Sequence, residues 1–117
     1  MKLPIVVAEG PFCIMFFTSV EGACSLEPID VSEGIYRAWD AEGRPIDLLV
    51  EEGAHRWFCG GRKRTVLRCD ESQARQSDEL RLLLLNSLIA IGITGKENAS
   101  LEEILRVAMK HGDVKTF

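Results

Sequence analysis

The sequence has no apolar stretch long enough to cross a membrane. The longest candidate, Ile5 to Val20, is interrupted by Glu9, Gly10 and Pro11, whereas a spanning helix needs roughly 18 unbroken apolar residues. The same interruption is unlike the apolar core of an export signal. We therefore expect a cytoplasmic protein that makes no membrane contact.

The sequence lacks the paired cysteines of a metal site, although it contains four cysteines. No pair has the CxxC spacing of a zinc knuckle, and proteins of the reducing cytosol rarely form disulfides. His55, Cys59 and Cys69 offer three metal ligands at no recognised spacing. We therefore predict no metal site and no cofactor, and we interpret Cys13, Cys24, Cys59 and Cys69 as free thiols in the core.

Catalytic motifs are also missing. The sequence contains no P-loop, Rossmann fingerprint, nucleophile elbow, HExxH or EF-hand loop. His55 and Cys59 are four residues apart in a predicted strand, and so are Asp47 and Glu51, which separates each pair by roughly 13 Å. Such distances are too long for a nucleophile–base pair or for paired acid–base carboxylates. We therefore predict that the protein is not an enzyme.

Acidic residues outnumber basic ones, which gives a net charge of −4, and the basic residues are unevenly distributed along the chain. Residues 1–54 carry three basic and ten acidic groups, whereas residues 55–75 carry six basic and two acidic groups. The basic stretch lies in a predicted hairpin over 56–68, where Arg62, Lys63 and Arg64 adjoin a turn and Trp57 lies on the preceding strand. The hairpin is typical of a surface that binds nucleic acid or another polyanion. Against this, the domain is acidic overall, and the arginines have carboxylates of the first half as alternative partners.

Two apolar segments near the start of the chain have the length of strands. These are Leu3–Val7 and Phe12–Phe17, and the second is expected to be buried on both faces because it is apolar throughout. Thr18–Glu21 forms a capping box, which predicts a short helix of about two turns that ends before Pro28.

The segment from Ile35 to Cys69 has the alternation and the turn residues of a β-meander. Its short connections require antiparallel neighbours, and Gly43 shapes the first turn because glycine accepts positive φ. The predicted strands are Ile35–Asp40, residues 46–51, Arg56–Cys59 and Arg64–Cys69.

Helical periodicity begins after Asp70. It predicts one helix over Ser72–Ile91 and a second that starts at the capping box 100–103 and ends near Gly112. The first helix carries two apolar stripes, the second of which is formed by Leu82, Leu85 and Ile89. It is therefore either a central helix covered on two sides or the interface of a homodimer.

These segments predict the α+β class. We expect an antiparallel β-meander of about four to six strands with a short N-terminal helix, followed by two C-terminal helices packed on the sheet. Because no linker or repeat divides the chain, we predict one domain over 1–117, with strands and the short helix in 1–70 and the helical end in 71–117. The strand order is left open, as is whether the N-terminal strands join the meander.

Three short segments resemble a pattern found in a family of small uncharacterised bacterial proteins. They are Thr18-Ser19-Val20-Glu21, Leu26–Val31 and Gly34–Arg44. The resemblance implies a bacterial cytosolic protein and no particular activity, and it transfers no catalytic or binding residue. By analogy, some small acidic α+β proteins neutralise toxins as immunity partners.

We therefore expect a non-enzymatic cytoplasmic protein that works through contact with a protein partner. The partner is either a second copy, bound through Leu82, Leu85 and Ile89, or a different protein. The alternative is binding of nucleic acid or another polyanion through the basic hairpin 56–68. A small-molecule pocket between sheet and helices is also left open.

Overall fold

The structure is a computed structural model that describes residues 1–10, 13–52 and 63–116. Within these ranges there is no helix with the length and apolar character that a membrane crossing requires. The described elements follow one another in the order β1 (Ile5–Glu9), β2 (Cys13–Phe17), α1 (Val20–Ala23), α2 (Pro28–Ser32), β3 (Tyr36–Trp39), β4 (Pro45–Glu52), β5 (Lys63–Cys69), α3 (Ser77–Ala90), α4 (Leu101–His111) and β6 (Asp113–Lys115).

All these strands form one sheet in the order β5-β4-β3-β1-β2-β6. The α+β class is confirmed, but the purely antiparallel sheet is wrong, because β6 pairs in parallel with β2, with Met15 opposite Asp113. A parallel pair requires a crossover connection, and the long chain segment that contains α3 and α4 provides it. A strand of three residues is too short for its alternation to be recognised in the sequence.

The first strand of the chain lies at the centre of the sheet, between β2 and β3. Successive side chains of a strand point to opposite faces, so Ile5 and Val7 lie on one face and Val6 and Ala8 on the other. All four are buried. The N-terminal strands therefore belong to the same sheet as the meander and cover both of its faces with apolar side chains.

Two core clusters lie on the two faces of the sheet. One combines strand residues with residues of the two long helices, and the other combines strand residues with residues of α1, α2 and the loop between them. The first contains Val6, Ala8, Phe16, Trp39, Leu80, Leu84, Leu85, Leu88, Ile104, Leu105 and Ala108. The second contains Ile5, Val7, Phe17, Ala23, Leu26, Val31, Ala38 and Ile46.

Strands β4 and β5 form a long antiparallel ribbon, which we call the β4–β5 arm (Pro45–Glu52 and Lys63–Cys69). Their register runs from Ile46 opposite Cys69 to Glu52 opposite Lys63. The predicted strand Arg56–Cys59 lies outside the described residues. On one side of the arm, the Thr65 hydroxyl donates to the Leu26 carbonyl oxygen at 2.8 Å, in a buried position. This bond ties the arm to the α1–α2 segment.

The first helical segment differs from its prediction. Ser19, not Thr18, caps α1, since its hydroxyl accepts the Gly22 N–H at 3.0 Å. Thr18 instead donates to the Lys115 carbonyl oxygen at the end of β6. Pro28 does not only end a helix but occupies the first turn of α2, where its missing N–H would have no helical partner in any case.

The long helix is shorter than predicted, because it starts at Ser77 and not at Ser72. The cap of α4 is confirmed, since the Ser100 hydroxyl accepts the Glu103 N–H at 3.2 Å. Gly112 directly follows α4, and a Cβ there would lie 2.7 Å from the Ala108 carbonyl oxygen and 2.8 Å from the Phe16 ring. A close approach of backbone and ring therefore requires glycine at this position.

The cysteines are less buried than predicted. Cys13 is exposed, and Cys24 and Cys69 are partly exposed; Cys59 lies outside the described residues. Phe12 lies outside the described residues too, and the predicted burial of Phe12–Phe17 on both faces is also wrong, since Phe16 and Phe17 are buried but Cys13 is not. The reason is the short partner β6, which pairs only with Met15, Phe16 and Phe17.

Candidate functional site

The hairpin that joins β3 to β4 separates soon after its turn. The turn at Asp40–Arg44 is closed by the Asp40 N–H, which donates to the Arg44 carbonyl oxygen at an N···O distance of 2.9 Å. Beyond it the two strands pair at Trp39–Pro45 and Ala38–Ile46 and at no further position of the described ladder. The strands therefore diverge, while β4 stays paired with β5 along its length.

This divergence leaves backbone groups without a ladder partner. The N–H and C=O groups of every second residue in a strand point to the same neighbour. Ala38 lies opposite Ile46. If the antiparallel ladder continued in this register, Tyr36 would therefore lie opposite Leu48. That pair is not formed within the described ladder. The backbone of Tyr36 and Leu48 thus faces a gap inside the sheet.

A cleft of about 540 Å³ occupies this gap. Apolar side chains line its inner part, among them Val31 of α2, Ala38 of β3 and Leu48 of β4. Arg37 of β3 and Arg68 of β5, which alternate with the inward-facing positions, lie at its outer part together with Gln76. The cleft therefore has an apolar floor and a polar mouth, and unpaired strand edges form its walls.

Gly34, Arg37 and Trp39 line both this cleft and a second cavity of about 370 Å³. The guanidinium carbon of Arg37 lies 4.7 Å from the centroid of the Trp39 ring, at the distance of a cation–π contact. Its Nη2 also forms an ion pair with Glu79 of α3. Arg37 is thus placed by an aromatic ring on one side and by a carboxylate on the other.

The indole of Trp39 fixes one wall of the cleft. Its side chain is 1% exposed, and its Nε1 donates to the Gln76 Oε1 at 2.9 Å. The Gln76 N–H in turn donates to the Gly43 carbonyl oxygen at 2.7 Å. A Cβ at Gly43, whose φ is +83°, would lie 2.7 Å from the Ser77 Cα. The hairpin turn and the start of α3 therefore meet at a glycine and hold the mouth of the cleft in place.

Tyr36 adds a hydroxyl to the lining of the cleft. Its pKa is raised above the ordinary value, mainly because burial removes the hydroxyl from water and secondarily because Asp30 is negatively charged. The neighbouring Asp30 carboxylate is a partner for the hydroxyl proton.

Asp40 is a fully buried carboxylate, and such a group is often part of an active site. Here its Oδ1 accepts the Glu42 and Arg44 N–H groups, each at 2.9 Å, and its Oδ2 accepts the Lys2 N–H at 3.1 Å. The Arg44 guanidinium lies 3.7 Å from Oδ2. These bonds join the N-terminal segment to the turn, so the structure assigns Asp40 a structural role.

The basic hairpin is described only in part, because Trp57 and Arg62 lie outside the described residues. Lys63 and Arg64 are exposed at the start of β5. Arg64 forms an ion pair with Glu51 at 3.3 Å, and Arg68 forms one with Asp47 at 3.2 Å, both across the β4–β5 ladder. Carboxylates of the acidic first half thus offset two of the hairpin's positive charges.

Only part of the predicted dimer face of α3 is exposed in the structure. Leu82 and Ile89 are 56% and 43% exposed, whereas Leu85 is 7% exposed and belongs to the core cluster with Leu84 and Leu88. Leu85 is therefore not available to a second copy. The apolar surface that remains on this side is a narrow strip.

The remaining candidates do not converge on a site within the described residues. His55 and Cys59 lie outside these ranges, and no group of metal-binding side chains is found among the residues that the structure describes. Asp47 and Glu51 each have an arginine partner across the ladder. Sequence reasoning missed Arg37, Gln76 and the cleft itself, because only the pairing of β3 with β4 creates it.

Comparisons with known proteins find no match to this chain. No family model matches the chain, and neither a curated protein nor a solved structure is similar to it at a significant level.

Proposed function

We propose that this protein is a non-enzymatic binding protein that recognises an extended segment of a protein partner in the cleft between β3 and β4. The single observation that carries the proposal is the break in the sheet: β3 and β4 pair at two positions and then separate around a cleft of about 540 Å³. In this proposal the protein acts in the cytoplasm, as the sequence leads us to expect.

The shape and the chemistry of the cleft favour an extended peptide. An unpaired strand edge binds a peptide by adding it as a strand, since the main chain supplies the hydrogen bonds and alternate side chains enter pockets. Tyr36 and Leu48 present such groups, and Val31 and Ala38 form an apolar floor for every second side chain of the peptide. A closed sheet would leave no donor or acceptor for it.

Binding of nucleic acid through the hairpin 56–68 is less well supported. The ion pairs of Arg64 and Arg68 reduce the positive charge that the described part of the hairpin presents, and affinity for a phosphate backbone depends mainly on that charge. This alternative predicts a gel shift at low salt that weakens when Lys63 and Arg64 are replaced by alanine.

The decisive experiment selects linear peptides from a displayed random library against the folded protein. An enriched peptide is then synthesised with N-methyl groups on one alternate set of amides and, separately, on the other set. A strand in a ladder uses every second N–H toward one neighbour. A peptide between β3 and β4 turns one set toward each strand, so we expect methylation of either set to weaken binding.

The binding site is located by titrating the unmethylated peptide into isotopically labelled protein. We expect the largest amide shifts at Tyr36, Ala38 and Leu48. The proposal is wrong if no peptide is enriched, if either methylated peptide binds as tightly as the unmethylated one, or if the shifts map to the exposed strip at Leu82 and Ile89.

A further inference from the structure

We propose that the cleft selects a peptide with an acidic side chain between apolar ones, so that the acidic group faces the mouth and the apolar groups face the floor. This inference rests on the proposed function, because it names the class of peptide that the same cleft would bind. The observations behind it are the charges, donors and acceptors of the mouth.

Donors outnumber acceptors at the mouth of the cleft. Arg37 of β3 and Arg68 of β5 both line the cleft, and Gln76 bonds to Trp39 and to the hairpin turn. The Gln76 Oε1 is taken by Trp39, which leaves its amide N–H groups as donors. Among the residues that the structure describes, Asp47 supplies the one carboxylate in the lining. A carboxylate fits this arrangement, since two guanidinium groups recognise it through charge-assisted hydrogen bonds.

Both arginines are held by partners that a ligand can replace. Arg37 and Glu79 are 59% and 47% exposed, and Arg68 and Asp47 are 67% and 48% exposed. Exposed pairs of this kind contribute little to stability. A ligand carboxylate that is partly removed from water inside the cleft therefore competes well with Glu79 and Asp47 for the two guanidinium groups.

The apolar floor of the cleft determines which peptide residues should precede and follow the acidic one. Alternate side chains of an added strand point to opposite faces of the sheet. If one faces Arg37 and Arg68, the residues before and after it face the apolar positions Val31, Ala38 and Leu48. The structure thus favours an apolar–acidic–apolar order over a run of acidic residues.

The β4–β5 arm contains a matched control for this site. Arg64 and Glu51 form a cross-strand pair like that of Arg68 and Asp47, with N···O distances of 3.3 and 3.2 Å. Their side chains are 67% and 54% exposed, close to the values for Arg68 and Asp47. Arg64 and Glu51 do not line the cleft, so the two pairs differ in their position relative to the ligand and in little else.

The test uses two capped pentapeptides, Thr-Val-Glu-Val-Thr and the same peptide with glutamine in the centre. We expect the glutamate peptide to bind at least about tenfold more tightly, as the loss of one charge-assisted hydrogen bond implies. R68A should remove this preference, whereas R64A should keep it. D47N should strengthen binding of the glutamate peptide, because a competing carboxylate is lost, and E51Q should leave it unchanged.

The outcomes separate this inference from the proposed function. If library-selected peptides lose binding on methylation of either amide set but the two pentapeptides bind equally or not at all, the acidic preference is wrong and the proposed function stands. If R64A acts like R68A, the effect comes from the general charge of the arm, and the inference is again wrong. If N-acetylglutamate methylamide binds as tightly as the pentapeptide, the ligand is a free acid and both proposals fail.

Discussion

The centre of the sheet and the β4–β5 arm are built in different ways from similar strands. In β1 every residue from Ile5 to Ala8 is buried, with one core cluster on each face. The arm buries only one of its faces, where Ile46 and Thr65 lie. Its other face presents the ion pairs Asp47–Arg68 and Glu51–Arg64 to solvent.

This difference shows where stability and recognition are placed in the molecule. Burial of apolar surface is the main source of folding free energy, so the centre and the helices packed into its cluster supply most of it. The arm is joined to the rest by two ladder pairs with β3, by the bond from Thr65 to Leu26 and by the packing of Ile46 in the second core cluster. It can therefore carry an open strand edge without weakening the core.

The largest effect is expected in the core cluster, where Leu84 on α3 is fully buried. Leu84→Ala should lower the free energy of unfolding by about 2–5 kcal/mol, because it removes apolar contacts and leaves a cavity. Leu82→Ala, on the exposed side of the same helix, should change it by less than about 0.5 kcal/mol. Urea unfolding measures both values. Equal losses in the two variants would show that Leu82 is covered in solution, as it would be in a dimer.

A smaller loss is expected at the attachment of the arm. Thr65→Val keeps the shape of the side chain but removes the hydroxyl that donates to the buried Leu26 carbonyl oxygen. The cost should be about 1–3 kcal/mol, the penalty for leaving a buried acceptor unsatisfied. Ser32→Ala is the control, since the Ser32 hydroxyl bonds to Ile29 in an exposed position.

The Thr65 variant also tests whether the arm is a separate unit. Hydrogen exchange should accelerate in β4 and β5 and stay slow in β1. Acceleration throughout the sheet would mean that the arm and the centre unfold together, and the contrast between them would then be wrong.

Sequence periodicity predicted the elements whose signal is local. The Ser100 cap, the turn around Gly43 and the alternation of Ile46, Leu48 and Val50 depend on neighbouring residues only, and the structure has them. The start of α3 was placed five residues too early, because Ser72–Gln76 is polar and compatible with a helix. Instead, Ser72 bonds to Asp70 and forms a turn there.

The candidate site could not be predicted in the same way, because it arises from pairing between strands. Arg37 and Arg68 are 31 positions apart in the sequence, and only the strand order brings them to one cleft. The predicted strands Ile35–Asp40 and 46–51 are equally long and carry no signal of the cleft, whereas the strands of the structure differ in length. The four residues of β3 cannot pair with all eight residues of β4, so some part of β4 had to lack a partner on that side.

The ion pairs on the outer face of the arm should contribute little to stability. Arg64→Ala and Arg68→Ala should each change the free energy of unfolding by less than about 1 kcal/mol, since exposed pairs are hydrated in the unfolded and the folded state alike. Urea unfolding at low and high salt measures this. A larger loss for R68A than for R64A would mean that Arg68 also stabilises the cleft, and its effect on peptide binding would then need correction for unfolding.

The smallest effect is expected at Asp70, which joins the arm to the polar segment before α3. The Ser72 N–H and hydroxyl donate to its Oδ1 at 2.9 and 2.6 Å, and these bonds, with Arg68 nearby, lower the pKa of the carboxyl. A carboxyl whose pKa is lower in the folded state stabilises the fold above its unfolded pKa, near about pH 4. This contribution is lost as the pH falls through the folded pKa.

Ser72→Ala removes the hydroxyl bond and should raise the pKa of Asp70 toward its ordinary value, as a carbon-detected NMR titration would show. If the pKa does not move, the backbone N–H alone holds the charged carboxylate, and the junction of arm and helix is fixed by the chain and not by the serine side chain.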